Sequence, residues 1–155
     1  MIPAIILANK HHIKHAVHEY FHDHSVQSYG LEFAEKLGVT QHEIFKSLVL
    51  KFDNNTLLNA IIPVDSMFKL KSIAKIFSAK KSLYGVSNGS RALNGVCIRW
   101  CEFIGSKKRS LTIIDLSAQN HKTIYVSAGK RGLEIELNTD DLGNFTNAQF
   151  TNITQ

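Results

Sequence analysis

Two pairs of short apolar segments, each folded back by turn residues, limit what this chain can become. In the first pair, Lys46–Phe52 and Leu57–Ile62 flank Asp53-Asn54-Asn55. In the second, Thr123–Ser127 and Leu133–Leu137 flank Ala128-Gly129-Lys130-Arg131-Gly132. Segments this short, rich in Ile, Leu and Val and bounded by Asn, Asp and Gly, read as β-hairpins. An isolated hairpin is marginal in water, so other elements must cover it. Ala16–Phe21 and Leu111–Asp115 supply two more strand patterns.

Helical signals are interspersed with the strands. Pro3 suits a first helical position, with Ile5, Ile6 and Ala8 behind it. Ser28 is placed to cap a helix over Leu31–Leu37, and Gly38 to stop it in a left-handed conformation. Thr40-x-x-Glu43 has the form of a capping box for a further turn. Asp65 or Ser66 heads a helical spacing of Leu70, Ile73, Ala74 and Phe77. Ser87-Asn88-Gly89 is turn chemistry, with a short segment around Arg91–Leu93 after it, and Asp140 opens a last short helix. Hairpins with intervening helices define an α+β fold. The expected architecture is one domain over residues 1–155, a curved mixed β-sheet or partial barrel with surrounding helices.

Composition agrees with that size and class. The chain has 155 residues, 44% apolar and 20% charged, which is enough for one core and too little for two comfortable ones. Nothing approaches 18 consecutive apolar residues, so no membrane span is expected. The opening MIPAIILANKHHIKH lacks the charged start and small-residue cleavage site of a secretory leader. Two cysteines, Cys97 and Cys101, cannot form a disulfide framework or a Cys-rich zinc site. A reduced, cytoplasmic protein without cofactor or metal is the expectation.

The charge is concentrated. Residues 1–65 carry a net −2, residues 66–109 a net +9, and residues 110–155 a net −2. The positive third includes Lys69, Lys71, Lys75, Lys80, Lys81, Arg91, Arg99 and the run Lys107-Lys108-Arg109. Clustered cations attract phosphate backbones, although the same cluster is also what a solvated face looks like.

Four groups of residues carry possible chemistry. Six of the eight histidines fall in the first 24 residues, with His11 and His15 spaced to chelate on a helix face, and His18, His22 and His24 on a strand. No second half-site of the usual kind accompanies them, so a polar stretch is the plainer reading. Cys97 and Cys101 have no sequence-adjacent base, and no G-x-S-x-G occurs. Lys46 shares a strand face with Leu48 and Leu50, so it is either a half-buried cation in use or a lysine whose ammonium snorkels to water. The Ser127–Gly132 stretch can turn amides toward an anion, or be a hairpin turn with a bulge.

Several separated motifs, in order and nearly end to end, resemble one family. They are Glu19-Tyr20-Phe21-His22-Asp23, Ser28-Tyr29-Gly30, Lys36-Leu37-Gly38-Val39 and Ile44-Phe45-Lys46-Ser47-Leu48. Further on come Lys107-Lys108-Arg109 ahead of Thr112-Ile113-Ile114-Asp115, and Ile124-Tyr125-Val126-Ser127-x-Gly129-Lys130-Arg131-Gly132-Leu133-x-Ile135. The resemblance is to the YbaK/EbsC aminoacyl-tRNA deacylases, in particular the Cys-tRNA(Pro) deacylase branch, related to the editing domain of prolyl-tRNA synthetase. It implies hydrolysis of the ester joining a wrongly attached amino acid to tRNA, in trans. The implied partners are the acceptor end of aminoacylated tRNA and prolyl-tRNA synthetase, with no role for DNA. It places the family's key lysine on Lys46 and pocket positions on Tyr20, Tyr29, Ser47, Ser127 and Glu134. Gly95, Arg99, Gly105 and Gly129 join them as substrate-binding positions. It also implies substrate-assisted chemistry, in which the cysteine thiol attacks the ester and no enzyme nucleophile is needed. A catalytically impaired tRNA- or synthetase-binding module of the same fold is the alternative, and a His-rich metal-binding protein a more distant one.

One window departs from the family. Relatives carry T-G-Y-hydrophobic-hydrophobic-G-G-hydrophobic-S-P-hydrophobic-G, whereas residues 94–105 read Asn-Gly-Val-Cys-Ile-Arg-Trp-Cys-Glu-Phe-Ile-Gly. Gly95 and Gly105 keep their places, but Arg99 and Trp100 replace the glycine pair, and side chains cannot copy its close backbone approach. A compensated shift of reading frame would account for this. One choice of codons for Val96 to Phe103 is GTA TGT ATT CGG TGG TGT GAG TTT. Read one base later, it gives Tyr-Val-Phe-Gly-Gly-Val-Ser, the family pattern. Sequencing the DNA over this window is expected to find that frame; codons that yield no glycine pair in any frame would refute the explanation.

Overall fold

The computed structural model describes residues 3–21, 25, 29–52, 57–67, 69, 72, 75, 92–96, 110–130 and 132–155. The helices whose bounds lie among the described residues are α1 (Pro3–Lys10), α2 (Tyr29–Leu37) and α3 (Thr139–Thr146). The strands are β1 (His15–Glu19), β2 (Ile44–Phe52), β3 (Leu57–Pro63), β4 (Ala92–Val96), β5 (Ser110–Asp115), β6 (Thr123–Lys130), β7 (Leu133–Asn138) and β8 (Gln149–Thr151). They form one mixed sheet in the order β1-β7-β6-β2-β3-β5-β8, with β4 paired to β2 beside this path. The two ends of the path, β1 and β8, are not paired to each other, so the sheet is not closed.

Both hairpins form as the sequence predicts: β2 pairs antiparallel with β3, and β6 with β7. They are joined by a short parallel seam, Ile44 to Tyr125 and Phe45 to Val126. Beyond that seam the same edge of β2 is taken by β4, from Val49↔Val96 to Phe52↔Ala92. On the far side, β5 pairs parallel with β3 and β8 with β5.

Alternation along the strands sorts side chains onto two faces. One face packs Phe45, Ile61, Ile114, Ile124, Val126, Ile135 and Leu137 against Ala8 of α1 and Leu142 of α3. The other carries Ile44 and Tyr125 and is covered in part by α2, through Phe33 and Ala34, with Tyr20 in the same cluster. At about 1.5–3 kcal/mol for each fully buried Ile, Leu or Phe, these two layers are the main favourable term in folding.

Local signals explain the element ends. Gly38 stops α2 with φ +66°, a left-handed conformation that other residues adopt only with strain. Thr40 caps the turn Gln41–Glu43, but its hydroxyl accepts from the His42 amide, so the turn is a 3-10 helix and not an α-helical capping box. Asn138 caps α3 by accepting from the Asp141 amide at 3.0 Å. The predicted cap Ser28, the turn Asp53-Asn54-Asn55, the helical spacing of Leu70, Ile73, Ala74 and Phe77, and Ser87-Asn88-Gly89 lie outside the described residues.

Asp115 ties the C-terminus to the sheet. Buried at the end of β5, it accepts from the Ser117 amide at 3.2 Å and from the Ile153 amide at 3.0 Å. Replacing it with Ala removes a cap and strands a buried N–H, so Asp115→Ala is expected to cost about 2–3 kcal/mol. Urea unfolding of the variant checks this, and a midpoint equal to the parent's would contradict it.

Candidate active site

The face of the sheet next to α2 carries a row of polar side chains on four adjacent strands. Tyr20 follows directly on β1, Glu134 lies on β7, Ser127 on β6 and Lys46 on β2. Register aligns them. Glu134 is directly opposite His18 on one side and Ser127 on the other. Lys46 and Ser127 are the next residues after the Phe45–Val126 pair at the parallel seam. On its other side Lys46 is paired with Ile62, which is buried. Four residues widely separated in the chain thus lie on one surface.

Lys46 is exposed, in keeping with the second of the two readings of its strand, a lysine whose ammonium snorkels to water. Its strand neighbour Ile44 and its pair Ile62 are buried, so the stem crosses apolar surface while the ammonium reaches water. A cation held this way is available to an anionic or carbonyl oxygen arriving from solvent.

Glu134 is the opposite case. It is buried, Oε2 lacks a hydrogen-bond partner among the described residues, and burial pushes its carboxyl up to about 8 from an ordinary 4.5. Near neutral pH the group is mostly the uncharged acid, able to donate a hydrogen bond.

Two residues along the strand, Glu136 behaves differently. Burial pushes its carboxyl up, but hydrogen bonds from Thr123, His18 and Tyr125 outweigh this and hold it below the usual carboxylate range. Thr123 Oγ1 donates at 2.7 Å and His18 Nε2 lies 2.8 Å from Oε1. Tyr125 is raised by burial and by the charges of Glu136 and Glu43, so its phenol stays protonated. Its ring packs against His18 and Phe33, with centroids 5.3 Å and 5.2 Å apart. The network binds β1, β7 and β6 together beside the row, on the same face. Sequence reasoning marks His18 only as one of several possible metal ligands, and it misses Tyr125 and Glu136 as site residues. The available signal was the pair of glutamates at alternate positions of an otherwise apolar strand, Glu134 and Glu136.

The remaining expected positions are more scattered. Ser47 points to the opposite face, because it is the residue after Lys46 in a strand, and donates a hydrogen bond to Asn59 Oδ1. Gly95 lies in β4, paired with Leu50. Gly129 and Ala128 are the extra residues of a bulge in β6 between the Ser127–Glu134 and Lys130–Leu133 pairs. Gly132 closes that hairpin with φ +83° and accepts from the Tyr20 amide at 2.9 Å. The backbone of Tyr29 begins α2, but its side chain lies outside the described part of the chain, as do Arg99, Gly105, Cys97, Trp100, Cys101 and Lys107-Lys108-Arg109.

The histidine pattern resolves locally. Helix α1 ends at Lys10 and His15 starts β1, so His11 and His15 do not share a helix face. His15 Nδ1 is 2.8 Å from the Ile13 carbonyl oxygen, and the His11 ring packs on Phe145. No cluster of three or more His, Cys, Asp or Glu suited to a metal occurs among the described residues. Among them, too, no helix is long and apolar enough to cross a membrane.

Known proteins share both the sequence pattern and the fold. Residues 24–145 match the family described as aminoacyl-tRNA editing domain. A curated relative from Enterococcus faecalis, "Putative Cys-tRNA(Pro)/Cys-tRNA(Cys) deacylase EbsC", is 37% identical over 121 residues, covering 78% of this chain and 74% of that protein. The fold is shared with the crystal structure of hypothetical protein APE2540, at TM-score 0.70 and 16% identity over 99% of both chains. It is also shared with the crystal structure of "a putative trans-editing enzyme for prolyl tRNA synthetase", at TM-score 0.66 and 13% identity over 100% of this chain and 98% of that one. The chain belongs to the aminoacyl-tRNA editing domain family, and within it to the YbaK/EbsC group.

The burial of Glu134 has a consequence for stability. Between about pH 4.5 and pH 8 the folded chain keeps a proton that the unfolded chain has released. Stability contributed by the neutral acid is therefore full below the lower value and falls as pH rises through the window. Glu134→Gln is expected to flatten that slope relative to the parent, measured as urea midpoints at about pH 5 and about pH 8. Equal slopes in the two proteins would rule out a buried acid titrating there.

Proposed function

We propose that the chain is a trans-editing deacylase, hydrolysing the ester of misacylated tRNA in the cytoplasm, with Cys-tRNA(Pro) as its substrate. The observation that carries this reading is the shared sheet face of Tyr20, Glu134, Ser127 and Lys46. The substrate is supported by the Enterococcus faecalis relative, which is named as a Cys-tRNA(Pro)/Cys-tRNA(Cys) deacylase. Prolyl-tRNA synthetase as a partner is supported by the structural neighbour described as a trans-editing enzyme for that synthetase.

Ester cleavage builds negative charge on the carbonyl oxygen. A solvent-facing ammonium on a rigid strand is suited to meet that charge. In our reading Lys46 does so, or grips the phosphate of the terminal nucleotide, while uncharged Glu134 and Ser127 offer hydrogen bonds to the aminoacyl group. The substrate's thiol sulfur attacks the carbonyl carbon, the bond to the ribose oxygen breaks and the thiol proton ends on that oxygen; water then opens the cyclic thioester so formed to give free cysteine. No enzyme nucleophile is then required. Pocket size adds to selection by chemistry, since about one methylene discriminates by roughly 1–3 kcal/mol.

A second reading is favoured by Arg99 and Trp100 in place of the family's glycine pair. On it, the chain binds tRNA or synthetase with little turnover. Single-turnover deacylation of Cys-tRNA(Pro), with and without prolyl-tRNA synthetase, separates the two. Lys46→Ala is expected to slow an active parent by about 10²–10³-fold, the usual cost of losing one oxyanion donor. A Lys46→Ala rate equal to the parent's would remove Lys46 from the mechanism, and a parent without turnover that still binds tRNA would favour the module.

A further inference from the structure

We propose that Phe21, held by Lys36, is a stacking platform for the base of the terminal nucleotide that bears the ester. The inference rests on the tRNA reading above and extends it from the aminoacyl group to the neighbouring base.

Phe21 directly follows Tyr20, at the end of the row where the sheet face meets α2. Phe21 is 85% exposed, more than any other large apolar residue among the described residues. A single exposed apolar residue is ordinary. Two further observations set this one apart. The first is its fixation. The Tyr20 amide donates to the Gly132 carbonyl at 2.9 Å, pinning the preceding residue to the β6–β7 hairpin. Lys36 Nζ of α2 donates to the Phe21 carbonyl, pinning the residue itself. The backbone is anchored on both sides of an outward-facing ring.

The second observation is the cation. The Lys36 ammonium also lies 5.5 Å from the Phe21 ring centroid, and Glu32, one turn earlier on α2, holds it at 3.6 Å. One side of the ring is thus associated with a positive charge, and most of the remaining surface faces solvent. An aromatic face backed by a cation is a generic platform for a nucleobase, and the same ammonium favours the adjoining phosphate. In the sequence, Lys130 and Arg131 immediately precede Gly132. Consecutive Cα atoms are about 3.8 Å apart. A base on Phe21 and an ester beside Tyr20 are therefore within the span of one nucleotide. The chemistry selects an unpaired base at a strand end over a base within a duplex, whose faces are already stacked.

Binding tests this independently of turnover. The probe is an uncharged acceptor-stem hairpin RNA ending in CCA, compared with the same RNA whose last nucleotide is abasic, by fluorescence anisotropy with the full chain. The parent is expected to prefer the adenine-ended RNA by about 5- to 100-fold, the range for one stacked base. Phe21→Ala is expected to lose that preference while binding the abasic RNA as the parent does. Phe21→Trp is expected to keep the preference and to show indole quenching only with the adenine-ended RNA. Equal parent affinity for the two RNAs overturns the proposal, and so does a Phe21→Ala protein that retains the preference. A Phe21→Ala defect confined to prolyl-tRNA synthetase association, with RNA preference intact, also overturns it and marks a protein contact instead. Failure of deacylation in the separate turnover assay leaves these comparisons intact.

Discussion

The sheet depends on one strand and, within it, on a seam two residues long. β2 is antiparallel to β3 along one edge, and along the other it is parallel to β6 at Ile44 and Phe45 before β4 takes over. Without this seam the described pairings fall into two separate sets, β1-β7-β6 and the remaining strands around β2, β3, β5 and β8. Parallel pairing is slightly weaker per residue than antiparallel, so a seam this short needs support from its side chains. It has that support on both faces. Phe45 packs into the layer under α1 and α3, and Ile44 into the layer under α2. The next residue is Lys46, so the join that unites the sheet also fixes the cation beside the polar row.

The legible parts of the fold were those encoded within a few residues. Both hairpins, Gly38 as the stop of α2, and β5 follow from apolar alternation and turn chemistry at short range. β4 was not legible, because Ala92-Leu93-Asn94-Gly95-Val96 mixes apolar residues with Asn and Gly. It becomes a strand through the length of β2 edge that β6 leaves open. The turn Leu116–Asn120 was missed for a related reason: Asp115 reads as the end of a strand, and its role as a cap emerges only with the helix it starts. β8, three residues long, is defined by its partner β5 and not by its own pattern.

The site divides in the same way. Lys46 stood out as a cation in an apolar strand, and the family resemblance supplied Tyr20, Ser127 and Glu134. That these residues share a surface depends on register across β1, β7, β6 and β2, and the β2–β6 step is a long-range parallel contact that no local pattern announces. Ser47 shows the converse. Adjacency to Lys46 in sequence places it on the other face of the sheet, with Asn59. The basic third of the chain was conspicuous in composition, yet most of its cations lie outside the described residues. Lys69 and Lys75 of that third are described and exposed, and the face next to α2 carries Lys46 and Lys36.

Two carboxylates separated by one residue give this face its electrical character. Glu136, supplied with donors by Thr123, His18 and Tyr125, is held as an anion. Glu134, without a partner for Oε2 among the described residues, is held toward the neutral acid. The same strand thus presents a fixed charge and an uncharged donor on one surface, because three side chains converge on one position and not on the other. For a neutral ester this division matters. A second anion in the row would oppose the charge that develops on the carbonyl oxygen, whereas a protonated carboxyl can donate to the substrate without adding to that repulsion. The anion at Glu136 is engaged by His18 across β1 and β7, where it serves the architecture that carries Tyr20 to the rim. Lys46 is left as the charge in the row best placed to meet an oxyanion, and it can do so because its neighbours bury the stem and leave the ammonium in water.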